Sequence, residues 1–299
     1  MTSSATLSGL AFALSSAALY GININYARLA SFEGVSGTAM VVYRVLLMLA
    51  LAAAAALAWR LPVAVPRQER ATIGWVGLAT AFVGIFYLSA VAFIPVAVAV
   101  VIFYTFPVLI VLASPFVEGT RLTAPLLGIV ALALAGVALV VGPAADALDW
   151  RGVALALGAS VATAAQFFAA ARARRTGVVA KTFWIHLLVL PTAILVGAAS
   201  GSLAPPSALA LAPFAVAMTI GGYVLGFVLQ FLALARIPAV VGGIAYCAEP
   251  VVAALSAVIV LDEPLSAVQL CGGALVIAAI VLNVLRESRR TARPVVPTD

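Results

Sequence analysis

Residues 94–110 read IPVAVAVVIFYTFPVLI, and residues 237–253 read IPAVVGGIAYCAEPVVA. The second stretch lies 143 positions after the first, and without a gap Pro95 falls on Pro238, Pro107 on Pro250, Ile94 on Ile237 and Val108 on Val251. The same shift carries Gly9 onto Gly152, Gly34 onto Gly177, Leu122 onto Leu265 and Leu127 onto Leu270. Ala-on-Ala and Leu-on-Leu agreement is cheap in so apolar a chain, so the two proline pairs carry the inference. One unit has been used twice.

The chain is 65% hydrophobic and 9% charged, with a mean hydropathy of +1.23. Soluble domains carry roughly a quarter charged residues, so the composition is that of an integral membrane protein. A helix crossing the ~30 Å hydrocarbon core needs about 20 mostly apolar residues. Charge runs and Pro/Gly turns leave ten such stretches, near 7–28, 36–59, 71–93, 95–115, 124–142, 151–171, 181–200, 212–235, 238–260 and 266–286. The loops between them are too short for a soluble domain, so any chemistry resides in the bundle. Five spans per copy is an odd number, so the second copy enters the membrane from the opposite face. The expected fold is an all-α membrane protein, ten transmembrane helices as two inverted five-helix repeats, over 1–145 and 146–288 with a cytoplasmic tail over 289–299. Inverted repeats of this kind place a transporter's substrate site near the bilayer midplane between the copies. A channel would instead show a constriction ring or filter motif, and neither is evident.

The basic residues alternate from loop to loop. Arg60, Arg67, Arg70, Arg121, Arg172, Arg174, Arg175, Lys181, Arg236, Arg286, Arg289, Arg290 and Arg293 share one side, Arg28 and Arg151 the other, and Arg44 lies inside a span. The positive-inside rule then puts both termini in the cytoplasm, across the cell's inner membrane. It also accounts for the net charge of +6 without a nucleic-acid partner. The expected partners are the lipid bilayer and a small-molecule substrate, with the chain acting as a monomer or weak homodimer. The first span lacks the basic flank and cleavage site of a signal peptide. Cys247 and Cys271 both fall in apolar spans, which suits neither a disulfide nor a zinc site. No cofactor or metal is implied, and no nucleophile–base pair or phosphate loop suggests an enzyme.

Polar groups inside a span are costly and become the site candidates. Ser16, Tyr20 and Asn23 share one helical face, and the shift maps the last two onto Thr163 and Gln166. Tyr223, Phe227 and Gln230 form a second face, whose images are Thr80, Gly84 and Tyr87. Each stripe either lines a cavity or bonds between helices. Tyr43 has His186 as its image, and His186 is either a proton sensor or a neutral hydrogen-bonded histidine. Arg44 sits ~12 Å into its span at 1.5 Å per residue and must pair, snorkel or bind an anion such as a substrate carboxylate. Glu249, just before Pro250, is a candidate proton carrier, counter-ion for a substrate ammonium, or partner of Arg44. Pro107 and Pro250 leave the carbonyls of Phe103 and Tyr246 without donors, so both are expected hinges near the site. Tyr87, Phe103, Tyr104, Phe168, Trp184, Tyr223 and Tyr246 offer aromatic surface for apolar or cationic cargo. Gly222 and Gly226 make a GxxxG pair that permits close helix approach.

Residues 233–284, ALARIPAVVGGIAYCAEPVVAALSAVIVLDEPLSAVQLCGGALVIAAIVLNV, resemble the closing segment of EamA-type repeats. YGININYARLASFEGVSGTAMVVYRVLLML, from Tyr20, resembles the opening of the same repeat, with Arg44 at the usual span-2 arginine and Tyr20 where many members have Trp. The acidic residue after span 9 is Glu263, and Glu118 in VEGTRLT is read as its first-copy counterpart. The chain is thus identified as a member of the drug/metabolite transporter superfamily, similar in length and helix count to its YddG-like aromatic amino-acid exporters. The resemblance implies a secondary transporter exporting small amphipathic metabolites, amino acids foremost, by alternating access. The alternative is proton-coupled export of aromatic cations through Glu249.

Overall fold

A computed structural model describes residues 3–142 and 149–292. Among them run twelve helices: α1 (Ser3–Phe32), α2 (Gly37–Ala58), α3 (Arg70–Ala90), α4 (Val96–Phe103), α5 (Phe106–Val117), α6 (Ala124–Val141), α7 (Trp150–Arg172), α8 (Val178–Ala199), α9 (Pro213–Leu234), α10 (Ala239–Tyr246), α11 (Ala248–Val260) and α12 (Ala267–Ala292). Short 3-10 turns precede α3 and α9, at Arg67–Glu69 and Pro206–Leu211. They form ten membrane-crossing segments, because α4 with α5 and α10 with α11 are halves of single spans. The two sets of five cross in opposite senses, so the protein is a pair of inverted five-helix repeats. The expected repeat junction at 145/146, Arg293 and the end of the 289–299 tail lie outside the described residues.

The broken spans follow from proline chemistry. α4 ends at Phe103 and α10 at Tyr246, the residues whose carbonyls would have bonded the N–H that Pro107 and Pro250 lack. Each proline then sits in the first turn of the next half-helix, where a missing N–H costs little.

Packing obeys the repeat in part. α1 lies along α9 and its image α7 along α3, while α6 packs on α12. A Cβ on Gly136 would meet the Gly272 carbonyl at 2.7 Å, and one on Gly272 the Gly136 carbonyl at the same distance, so these helices touch backbone to backbone. A Cβ on Gly9 would lie 2.7 Å from Ile237 Cγ2, and one on Gly152 2.7 Å from Ile94 Cγ2, the same socket made twice. Gly222 and Gly226 turn toward Asn23 and Tyr20 of α1, so their close approach is made within the chain.

Other image pairs differ. α3 packs closely on α8, with Leu188 over Gly77, whereas α9 meets α2 only sparsely. α1 packs along α11 more fully than α7 along α5. The bundle is therefore closed at the terminal face, where α1 begins and α12 ends, and parted at the opposite mouth face. The main core, including Met48, Ile110, Leu126, Ile185, Phe231, Leu234 and Ile244, fills the terminal half.

Polar ties reinforce the closed face. The buried Glu69 carboxylate accepts from Arg175 N at 2.8 Å, from Thr176 N at 2.7 Å and from Thr176 Oγ1 at 2.5 Å, joining the turn before α3 to the α7–α8 loop. Arg175 also bonds Gln68, and Arg172 donates to the Val117 carbonyl at 2.9 Å. Glu118 accepts from Ala239 N at 2.9 Å, capping α10. Burial pushes the Glu118 carboxyl above its usual range, against the lowering pull of that N–H.

The turns after α5 and α11 correct one expected equivalence. Gly119 and Asp262 occupy the left-handed region at φ 65° and 56°, 143 positions apart, and Thr120 N and Glu263 N bond Ser114 O and Ala257 O alike. Thr120 is therefore the image of Glu263, and Glu118 that of Leu261. The turns share their conformation, but their acids lie two residues apart in register.

Candidate functional site

The parted half holds a cavity of about 810 Å³, within the range of ligand pockets. Its mouth lies at Ala27, Thr38, Leu88, Val141, Glu263 and Gln269, and its floor near Gln166, Phe167, Gln230, Tyr246 and Glu249, at the level of the helix breaks. The walls are mainly aliphatic and aromatic.

Of the sequence candidates, Tyr20, Asn23, Arg44, Tyr87, Tyr104, Gln166, Tyr223, Gln230, Tyr246, Glu249 and Pro250 line this space. Both polar stripes therefore do two jobs, facing the cavity and bonding between helices. Tyr20 donates to Gln230 Oε1 at 2.9 Å, and Gln166 donates to Thr80 Oγ1 at 2.7 Å. Tyr246 donates to Ser16 Oγ at 2.6 Å, which passes the bond on to the Gly226 carbonyl at 2.6 Å. These ties fix the tyrosines without occupying all their hydrogen-bonding capacity.

Five candidates lie elsewhere. Tyr43 is tied to the α8–α9 loop, its hydroxyl donating to Ala204 O at 2.6 Å. Phe168 is buried in the core. Trp184, 39% exposed, donates to Val63 O at 2.8 Å beyond the closed half. Pro107 packs in the core, with Gly243 against it. His186 is wholly buried behind Tyr223. Its Nδ1 lies 2.8 Å from Thr182 O, which only accepts, so Nδ1 carries a proton, and Nε2 is hydrogen-bonded to Tyr223 Oη at 3.0 Å. His186 is thus hydrogen-bonded at both nitrogens and braces a cavity residue.

Asn25, Phe167, Thr192 and Thr219 also line the cavity and escaped the sequence reading. Asn25 donates to Ala253 O at 2.7 Å and Ser256 Oγ at 2.6 Å, joining α1 to α11. For Phe167 the signal was present, since it follows Thr163 by one helical turn.

The charges are placed unusually. At the mouth, Arg28 and Glu263 pair at 2.8 Å. Deeper, Arg44 and Glu249 form no ion pair with each other or with any described residue, so of the three roles open to Glu249 the partnership with Arg44 is not made. Arg44 holds its guanidinium 4.1 Å from the Tyr223 ring centre, and its buried Nε has no hydrogen-bond partner. Glu249 lines the cavity together with the nearby Tyr104.

A ten-span inverted repeat closed at one face, open at the other and holding charged groups at its midplane defines a membrane transporter. The EamA-like transporter family model matches residues 7–142 and again 150–285, so the chain belongs to that family, within the drug/metabolite transporter superfamily. No curated protein matches the chain by sequence. A crystal structure of a protein 24% identical in sequence superimposes with a TM-score of 0.72, covering 97% of this chain and 100% of that one. That likeness bears on the fold alone.

Proposed function

We propose that the protein is a secondary transporter exporting small amphipathic metabolites, above all amino acids with aromatic or large apolar side chains, by alternating access between the repeats at 1–145 and 146–288. The supporting observation is the cavity itself: apolar and aromatic walls, a few fixed amides and hydroxyls, and access from one face only. The basic loops sit on the closed face, so the positive-inside rule puts both termini in the cytoplasm of the inner membrane and opens the cavity outward. Tyr87, Tyr104, Phe103 and Phe227 offer ring faces and edges to an apolar side chain. Counterflow of labelled tryptophan or phenylalanine in proteoliposomes tests this, and absence of counterflow for every amino acid tried would sink it.

One observation favours a second reading. Glu249 meets tyrosines and no cation among the described residues, an arrangement suited to an aromatic cation exchanged for a proton. If Glu249→Gln left such transport and its pH dependence unchanged, this reading would be dropped.

A further inference from the structure

The two deep charges divide the cavity between them. Arg44 lies against Tyr223, and Glu249 against Tyr104. Tyr20 lines the same space, its ring 6.2 Å from that of Tyr223 and 6.3 Å from that of Tyr246.

Leaving one such charge unpaired in an apolar membrane cavity is costly, and this cavity leaves two of opposite sign. A helix bundle that needed them only for packing would have joined them or replaced them with apolar residues. Arg44 is held by a ring face, a contact that uses none of its N–H donors, and the planar guanidinium suits a carboxylate. Glu249 keeps acceptor capacity beyond its Tyr104 contact. A ligand that satisfies both must carry an anion and a cation on one small frame, with an apolar remainder for the walls.

We infer that Arg44 and Glu249 read the two ends of a zwitterionic head group, Arg44 taking the carboxylate and Glu249 with Tyr104 the ammonium of an α-amino acid. This rests on the amino-acid reading of the cavity and adds that recognition demands both charges. A decarboxylated amine leaves Arg44 without an anion. A deaminated acid leaves Glu249 facing apolar surface.

The test is competition by L-phenylalanine, phenethylamine and 3-phenylpropanoate against labelled L-phenylalanine on the purified full chain. In the wild type, phenylalanine should outcompete either analogue by about 30-fold or more, the penalty for stranding one member of a desolvated charge pair. Arg44→Gln should weaken phenylalanine by a similar factor and leave phenethylamine within about 2-fold, while Glu249→Gln does the converse with 3-phenylpropanoate. Arg44→Lys and Glu249→Asp, which keep the charges, should retain part of the discrimination, and thermal unfolding of every variant reports folding separately. If phenylalanine binds but both neutral variants weaken all three ligands equally, the head-group inference fails and the amino-acid reading stands. If the wild type binds phenethylamine as tightly as phenylalanine, the inference fails in favour of cation export. If none of the three binds, both readings fail together.

Discussion

Glu69→Gln should shift the balance between the two faces of the bundle. The carboxylate accepts three hydrogen bonds from Arg175 and Thr176 across the closed face, while its image in the other repeat, Ala212, can accept none from a side chain. Each bond to a charged acceptor contributes about 1.5–3 kcal/mol. Glutamine keeps one accepting oxygen but turns an NH₂ group toward the Thr176 amide, so roughly one such bond is lost and a donor faces a donor. A loss of about 2–3 kcal/mol, felt only while the terminal face is shut, multiplies the fraction open there by roughly 30 to 150. Spin labels on Gly37 and Ala217, both exposed near the mouth ends of α2 and α9, would report this in a Cys247→Ala, Cys271→Ser background. The wild type should give mainly the long distance of the parted mouth, and Glu69→Gln should add a short one. An unchanged distribution, with the unfolding temperature lowered by the lost bond, would refute the reasoning and leave Glu69 a purely structural tie.

Three further outcomes follow from the geometry. Gly9→Val and Gly152→Val press added atoms into equivalent sockets, so each should cost about 1–3 kcal/mol and lower the unfolding temperature to a similar degree; a large difference would mean the sockets are not equivalent. Tyr223→Phe removes the hydroxyl bonded to His186 Nε2 but keeps the ring beneath Arg44, so stability should fall by about 0.5–1.5 kcal/mol with little loss of affinity in the phenylalanine competition assay. Pro250→Ala restores a donor for the Tyr246 carbonyl and should join α10 to α11; slower counterflow with a raised unfolding temperature is expected, and unchanged counterflow would exclude the break as a working hinge.

The segments, their inversion and both proline breaks were legible because each rests on local chemistry: hydropathy, helix parity and a missing N–H. Most of the cavity lining was legible for the same reason, since helical spacing gathers Tyr20 with Asn23 and Tyr223 with Gln230. Phe168 lies off the cavity face because Thr163, Gln166 and Phe167 share that face, and one more residue turns ~100° away. Tyr43, Trp184, His186 and Pro107 lie off the cavity for a different reason. Duplication predicts equal use of equivalent positions, but a bundle closed at one face and parted at the other uses its halves unequally, and no span records which face is closed. The direction in which Asn25 points is likewise settled by its partner helix.

The paired sockets of Gly9 with Ile237 and Gly152 with Ile94 have a further consequence. One flanks the shut face and the other the parted face, yet the two are alike to the ångström. A joint that looks the same at both extremes of a cycle need not flex during it. In the alternating-access cycle proposed above, each long first helix of a repeat would then travel with the turn leading into the other repeat's broken span. Motion is left to the contacts that differ, α2 against α9 and α5 against α7. If the inverted repeats exchange conformations as proposed, a single conformation displays both end states of every joint, and setting each contact beside its image separates the hinge from the frame.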